Sequence, residues 1–171
     1  LWAGYAFAMA YEAPRGHKYA LEDVRNTVRT GSPDHNGGDT QPATCWTCKS
    51  PDVPRMMHEK GIAEFYAGKW SKMGAEIVNP IGCADCHDPL TMNLTITRPG
   101  LIEAFERQGK DIKKATPQEM RSLVCAQCHV EYYFKGEGKY LTFPWDKGSK
   151  VEDMEKYYDE IEHVDWVHKL S

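Results

Sequence analysis

The sequence predicts a mainly α-helical chain with little β-structure, and three observations predict it. Apolar residues recur at helical spacing after Asp52 and again after Val151, while strand-like alternation is confined to the neighbourhood of Leu94 and Ile96. Two helix-start signatures occur, Thr116-Pro117-Gln118-Glu119 and Ser149-Lys150-Val151-Glu152. The composition is poor in core-forming residues, with 41% in the broad hydrophobic class and a mean hydropathy of -0.62. At 171 residues the chain is long enough for one domain, so residues 1–171 are expected to form a single one. Its composition is less apolar than a self-sufficient core would suggest.

Leu1 to Ala10 is apolar and aromatic, yet no basic residue precedes it. It does not read as an intact secretory signal, and the chain is expected to begin inside a mature protein. Pro33, Asp34, Asn36, Gly37, Gly38 and Asp39 make residues 31–42 a loop. Val53, Met56, Met57, Ile62, Phe65 and Tyr66 then predict one helix, or two short ones broken near Gly61, between Asp52 and Trp70. At most one short strand is expected around Leu94 and Ile96. The Thr116 capping box, with proline at the first helical position, predicts a helix running toward Cys125. Phe143 to Gly148 reads as a turn. From Ser149 a last helix is expected, with Val151, Met154, Tyr158 and Ile161 on one stripe that His168 continues. A histidine at that spacing is more often packed than ligating. No stretch approaches the roughly 18 apolar residues of a membrane span.

The six cysteines fall into three C-x-x-C pairs: Cys45-Trp46-Thr47-Cys48-Lys49, Cys83-Ala84-Asp85-Cys86-His87 and Cys125-Ala126-Gln127-Cys128-His129. The last two are C-x-x-C-H, the attachment sequence for c-type haem, in which two thiols bond the porphyrin edge and the histidine ligates the iron. A zinc ribbon would use two pairs, strand the third and leave the following histidines unexplained. Disulfide frameworks suit chains under about 80 residues that lack a core. A thioredoxin-type site needs one C-x-x-C near a βαβ pattern. Haem attachment accounts for every cysteine and supplies the missing apolar faces. The expected fold is therefore a multihaem c-type cytochrome whose core is organised around covalently bound haems.

The first box places Lys49 where a histidine belongs. A lysine amine is ordinarily a protonated, hydrated cation near neutral pH, so its exchange for a good imidazole ligand points to a catalytic haem. Covalent haem attachment resembles periplasmic cytochrome assembly, which gives the compartment. The formal net charge is -4, and haem propionates would make it more acidic, which disfavours nucleic acid as a partner. An anionic substrate would need a local positive site.

These boxes stand in a wider pattern. Cys45 to Lys49 followed by Ser50-Pro51-Asp52, the run from Cys125 to Phe134, Arg15-Gly16-His17, Asp23-Val24-Arg25-Asn26-Thr27, Arg29-Thr30-Gly31 and Asp165-Trp166 together resemble ammonia-forming pentahaem cytochrome c nitrite reductase. The likeness covers essentially the whole chain and corresponds to the first three of that family's five haem segments. It implies that Cys45 and Cys48 hold the active-site haem, with Lys49 as proximal ligand and the opposite face open to nitrite. It implies that Arg29 binds the substrate, since a guanidinium stays charged and donates in a fork, and that Tyr132 is an active-site hydrogen-bond or proton donor. Without the resemblance, Arg29 would read as a surface arginine and Tyr132 as a core aromatic.

The same resemblance makes His87 and His129 proximal ligands of two electron-carrying haems, held by Cys83 with Cys86 and by Cys125 with Cys128. His17 becomes the distal ligand of one of them, assigned to the third haem. The distal ligand of the second stays open among His35, His58, His163, His168 and sequence not present. Glu131 and the Tyr132 carbonyl match a calcium site, where a hard cation takes oxygen ligands. Three haems c on this chain, five in a full-length enzyme, and calcium are the cofactors implied. Implied partners are nitrite, a second copy in a homodimer when full length, and a membrane-associated quinol-oxidising cytochrome or a soluble electron-donor cytochrome. The location implied is periplasmic, with any membrane association made through a partner subunit. The family's active-site histidine and remaining calcium ligands follow the Asp-Trp segment, so Ser171 is expected not to be a natural terminus. A non-catalytic trihaem electron-transfer cytochrome and a larger multihaem reductase with a lysine-ligated haem remain open alternatives.

Overall fold

The computed structural model describes residues 16–26 and 41–164. They fall into two compact units, the first ending at Gly82 and the second running from Cys83 to Val164. Most of the regular structure is helical, and the described sheet is one two-stranded antiparallel hairpin, in line with the expected mainly α class.

In the first unit a single turn of 3-10 helix at His17–Tyr19 leads into α1 (Ala20–Asn26), which buries Leu21 and Val24. The first cysteine box begins as a 3-10 turn, Ala43–Trp46. Three short helices follow: α2 (Asp52–Lys60), α3 (Ile62–Ala67) and α4 (Trp70–Gly74). The break expected near Gly61 is there, because Gly61 has φ 91°, a left-handed value that costs glycine little. Its N–H still closes α2 by donating to Met57 O at 3.0 Å.

Trp46, Val53, Met56, Phe65, Tyr66, Trp70 and Ile77 are fully buried and make this unit's core. Trp46 and Trp70 lie face to face, with ring centroids 3.4 Å apart and planes 2° from parallel. The Trp46 indole N–H donates to Trp70 O at 3.0 Å. Replacing such a ring by alanine typically costs about 3–5 kcal/mol, a large share of a domain's roughly 5–15 kcal/mol. Arg25 ties α1 to the end of the unit through NH2 bonds to Gly74 O and Ile77 O, the latter at 2.7 Å.

The second unit opens with the Cys83–Asp85 3-10 turn and continues to α5 (Pro99–Arg107), α6 (Pro117–Ala126), the hairpin β1 (Tyr133–Lys135) with β2 (Tyr140–Thr142), and α7 (Val151–Glu160). Tyr133 pairs with Thr142 and Lys135 with Tyr140. α6 starts as the sequence predicts: Glu119 N–H donates to Thr116 Oγ1 at 3.2 Å, and Thr116 N–H donates back to the Glu119 carboxylate at 2.7 Å. α5 packs on β2 at Gly100, where a Cβ would come within 3.0 Å of Leu141 Cδ2.

Residues 94–96 form only an isolated bridge between Leu94 and His87, within the expectation of at most one short strand there. Two sequence expectations change. The stretch from Phe143 is not simply a turn: Phe143 and Trp145 are buried, held by Arg107 NH2 on Phe143 O at 2.8 Å and Gln108 Nε2 on Trp145 O at 2.8 Å. The last helix begins one residue later than the Ser149 box predicts. Lys150 takes the extended N-cap conformation, and its N–H donates to the Asp153 carboxylate at 3.3 Å. That carboxylate lies over Gly148, where any Cβ would collide with it. At the other end Glu162 adopts φ 50°, and His163 N–H returns to Tyr158 O at 3.0 Å, a reverse turn of Schellman type built without glycine. His168, expected on this helix, lies outside the described residues.

Asp52 is the main polar tie in the first unit. One carboxylate oxygen accepts from Val78 N–H and Asn79 N–H, both at 2.9 Å, and from Ser50 Oγ at 3.2 Å. Burial pushes this carboxyl up, but the hydrogen bonds from Asn79, Val78 and Ser50 outweigh it and hold it below its ordinary value. A carboxyl depressed in the folded state stabilises fully above its unfolded value, about 3.9, and that contribution is lost as pH falls through the folded value. Asp52→Ala should therefore lower stability by roughly 1–3 kcal/mol at neutral pH. The gap between the variant and the parent in denaturant unfolding should close as the pH drops below about 4.

Candidate haem centres

A helical turn brings residues i, i+3 and i+4 to one side, which is the spacing of the two thiols and the following ligand in each box. The second and third boxes are such turns. His87 N–H donates to Cys83 O and His129 N–H to Cys125 O, both at 2.8 Å, and Cys86 and Cys128 close the corresponding three-residue bonds at 3.1 Å. The lysine box winds more tightly: Cys45, Thr47 and Lys49 each donate three residues back, to Pro42, Thr44 and Trp46 at 3.2, 3.1 and 2.9 Å. All six cysteines are free thiols. Cys83 and Cys125 are exposed, and Cys45, Cys48, Cys86 and Cys128 are half-buried.

The boxes are braced differently. Trp46 inside the first is sealed against Trp70, and Ser50 and Asp52 just after it belong to the carboxylate tie described above. Lys49 itself is half-buried. The second and third boxes are stitched to each other through their inner residues. The Gln127 amide oxygen accepts from Thr97 N–H at 3.0 Å and Arg98 N–H at 3.2 Å, while its Nε2 donates to Asp85 O at 2.8 Å and Val124 O at 3.0 Å. Arg98 NH2 meets the Asp85 carboxylate at 2.5 Å, with both side chains almost wholly buried. An ion pair withdrawn from water this far stands only when its remaining polar groups are satisfied. Burial pushes the Cys86 thiol up, and the neighbouring Asp85 and Cys125 add to that shift while Arg98 opposes it.

His87 carries its own support. Its Nδ1 lies 2.7 Å from Met92 O, and a carbonyl can only accept, so Nδ1 holds the proton and Nε2 keeps its lone pair for a metal.

These residues fit haem c. Each box sets two free thiols three residues apart with a basic residue directly after them, and neither α6 nor α7 has a fully buried residue. Met120, Leu123 and Val124 on α6 and Met154, Tyr157 and Tyr158 on α7 are only half-covered by protein, which leaves apolar surface for porphyrin faces.

The other predicted site residues are placed less completely. Arg29, together with Arg15, His35, Asp165, Trp166 and His168, lies outside the described residues. His17 is exposed at the start of its 3-10 turn in the first unit. Glu131 and Tyr132, in the second unit, precede β1; Tyr132 is 43% exposed and its ring stacks near Phe134 at 5.8 Å. The Glu131 carboxylate accepts from Tyr158 Oη at 3.0 Å. Among the described residues no three His, Cys, Asp or Glu side chains gather into a metal-holding group. His58 is exposed on α2, whereas His163 stacks on Tyr158 at 4.6 Å. Sequence reasoning missed Asp85, Gln127, Arg98 and Met92, and nothing in their spacing marks them.

The cytochrome c552 family model matches residues 1–171. The chain belongs to the cytochrome c552 family. Curated members include cytochrome c-552 of Parabacteroides distasonis, 72% identical over the whole of this chain, and that of Bacteroides thetaiotaomicron, 71% identical over the same span. The chain covers 35% of each of those proteins, so it spans about a third of their length. Among solved structures, cytochrome c nitrite reductase from Desulfovibrio desulfuricans superposes with a TM-score of 0.78 at 40% identity, over 92% of this chain and 34% of that one. Two calcium sites are described in that enzyme's catalytic subunit. Membership in a c-type cytochrome family agrees with the attachment boxes as carriers of haem.

If Gln127 joins the second and third boxes, its loss should be felt as a fold defect. Gln127→Ala leaves Asp85 O and two backbone N–H groups without their partner and should lower stability by roughly 2–3 kcal/mol, read as a denaturation midpoint. Gln127→Glu should also destabilise, because an acceptor then faces Asp85 O.

Proposed function

We propose that this chain is the catalytic-haem segment of an ammonia-forming cytochrome c nitrite reductase, reducing nitrite to ammonium by six electrons. The observation that carries this reading is the lysine in Cys45-Trp46-Thr47-Cys48-Lys49, in a chain whose other boxes end in histidine. The 40% identity to a solved cytochrome c nitrite reductase supports it. When bound, haem c supplies iron to hold the substrate nitrogen and a path for electrons.

The chain's own residues then divide the work. Lys49 would hold the iron of the haem carried by Cys45 and Cys48, supplying a non-aromatic amine donor where the other boxes supply an imidazole. Arg29 holds the anion by charge-assisted hydrogen bonds and offsets charge as N–O bonds break. Tyr132 would donate a hydrogen bond or proton at the substrate, since each departing oxygen must be protonated to leave as water. His87 and His129 would hold the irons of the electron-carrying haems, with His17 as a second imidazole donor to the third. Glu131 and the Tyr132 carbonyl contribute oxygens to a calcium ion, whose charge raises the local positive potential.

The whole enzyme of this reading carries five haems and acts as a homodimer in the periplasm, taking electrons from a membrane-associated quinol-oxidising cytochrome or a soluble cytochrome.

In the full-length enzyme, Lys49→His should keep the haem but change its spin state and depress nitrite turnover. Unchanged spectra and kinetics would remove lysine as the ligand and favour a purely electron-transferring cytochrome. Arg29→Leu should raise the KM for nitrite by roughly 10–100-fold, the equivalent of one charge-assisted hydrogen bond, with the histidine-ligated haems spectroscopically intact. Tyr132→Phe should lower kcat by about 100-fold, the lower end of general-acid effects, with little effect on folding. A kcat unchanged in that variant would take Tyr132 out of the chemistry.

A further inference from the structure

The six residues after the second box form a closed loop that turns back on its own histidine. Asp88 Oδ1 accepts from Leu90 N–H at 3.1 Å, from Thr91 N–H at 2.8 Å and from Thr91 Oγ1 at 2.8 Å. Met92 N–H donates to Asp88 O and Asp88 N–H to Asn93 O, both at 2.9 Å. The chain then runs back beside the box, with Leu94 bridging His87 and Thr95 N–H donating to Cys86 O at 2.9 Å. Within this loop Met92 sits at φ 61°, a left-handed conformation unfavourable for a long side chain and held only where neighbours over-determine it. That conformation turns the Met92 carbonyl to 2.7 Å from His87 Nδ1. Leu90 and Met92 are themselves 92% and 59% exposed, so burial of their side chains does not hold the loop in this shape. Hydrogen bonds hold it, and the Asp88 carboxylate with its three donors is the side-chain hub among them.

We propose that Asp88 is a positioning residue for the haem carried by Cys83 and Cys86, acting through the Met92 carbonyl on the His87 imidazole. This rests on the reading of His87 as that haem's axial ligand. A short hydrogen bond from Nδ1–H to a fixed carbonyl holds the ring's orientation and its tautomer, and it makes Nε2 a stronger donor. A stronger axial donor favours the oxidised iron and lowers the reduction potential. Asp88 thus sets where one haem of the electron-carrying group stands in potential by fixing the ligand's partner.

The test uses the full-length, haem-loaded protein, with each haem followed by electron paramagnetic resonance during a redox titration. The signal altered or lost in His87→Ala identifies the haem concerned; if no signal changes, the ligand reading itself fails. Asp88→Ala should shift that haem's potential upward and move its low-spin signal, while the others stay in place. Asp88→Asn should restore both, because an amide oxygen still accepts from Leu90 and Thr91. Asp88→Ala with native potential and native signal, in a protein where His87→Ala does alter that haem, would overturn the proposal. If Asp88→Ala does not accumulate, Thr91→Val removes one of the three donors and should give a smaller shift in the same direction. An unmoved potential there would equally overturn it.

Discussion

In the proposed reading two thiols and an axial ligand must leave one side of a single helical turn, and the described residues around each box hold three such turns still. A free turn of four or five residues has no reason to stay wound, because nucleating a helix fixes several dihedrals for one hydrogen bond. Each box is therefore braced by residues that take no part in haem attachment. At the first, the brace is apolar: Trp46 is sandwiched on Trp70 and fully withdrawn from solvent. At the second and third it is polar, a buried Asp85–Arg98 pair joined to the Gln127 amide.

The choice of brace has consequences for the haems proposed at each site. An aromatic wedge inside the lysine box makes that turn rigid and dry on one side, which suits a haem whose other face must stay open for a small anion. The amide and ion-pair stitch between the other two boxes couples one attachment turn to the next, so that displacement of one is felt by the other. A pair of haems that pass electrons benefits from a fixed spacing. Among the described residues, the helices α6 and α7 bury no residue fully, and the proposed haems would cover their apolar sides.

Much of this was legible in the sequence, and the reason is locality. The boxes are linear patterns whose chemistry needs fixed spacing. The Thr116 capping box and the Gly61 break are decided by hydrogen bonds and dihedrals within a few residues. What escaped was decided at a distance. Gln127 reaches Asp85 across 42 positions and Thr97 across 30, and nothing in their spacing marks them. The β1–β2 hairpin has strands of three residues, too short for alternation to show. α5 opens with Pro99-Gly100, which looks like a breaker, although proline suits the first helical turn and the glycine is there to admit Leu141. The start of α7 slipped by one residue because Asp153, not Glu152, found the N-cap N–H across the bare Gly148.

The central claim is that the three boxes are covalent haem sites that organise the chain. Intact-mass measurement of the denatured, haem-loaded protein tests this, with a reference in which Cys45, Cys48, Cys83, Cys86, Cys125 and Cys128 are replaced by serine. Corrected for those replacements, the two masses should differ by three haems, a difference that acidic organic extraction leaves in place. A segment that releases its haem on extraction, or that carries fewer than three, would contradict it.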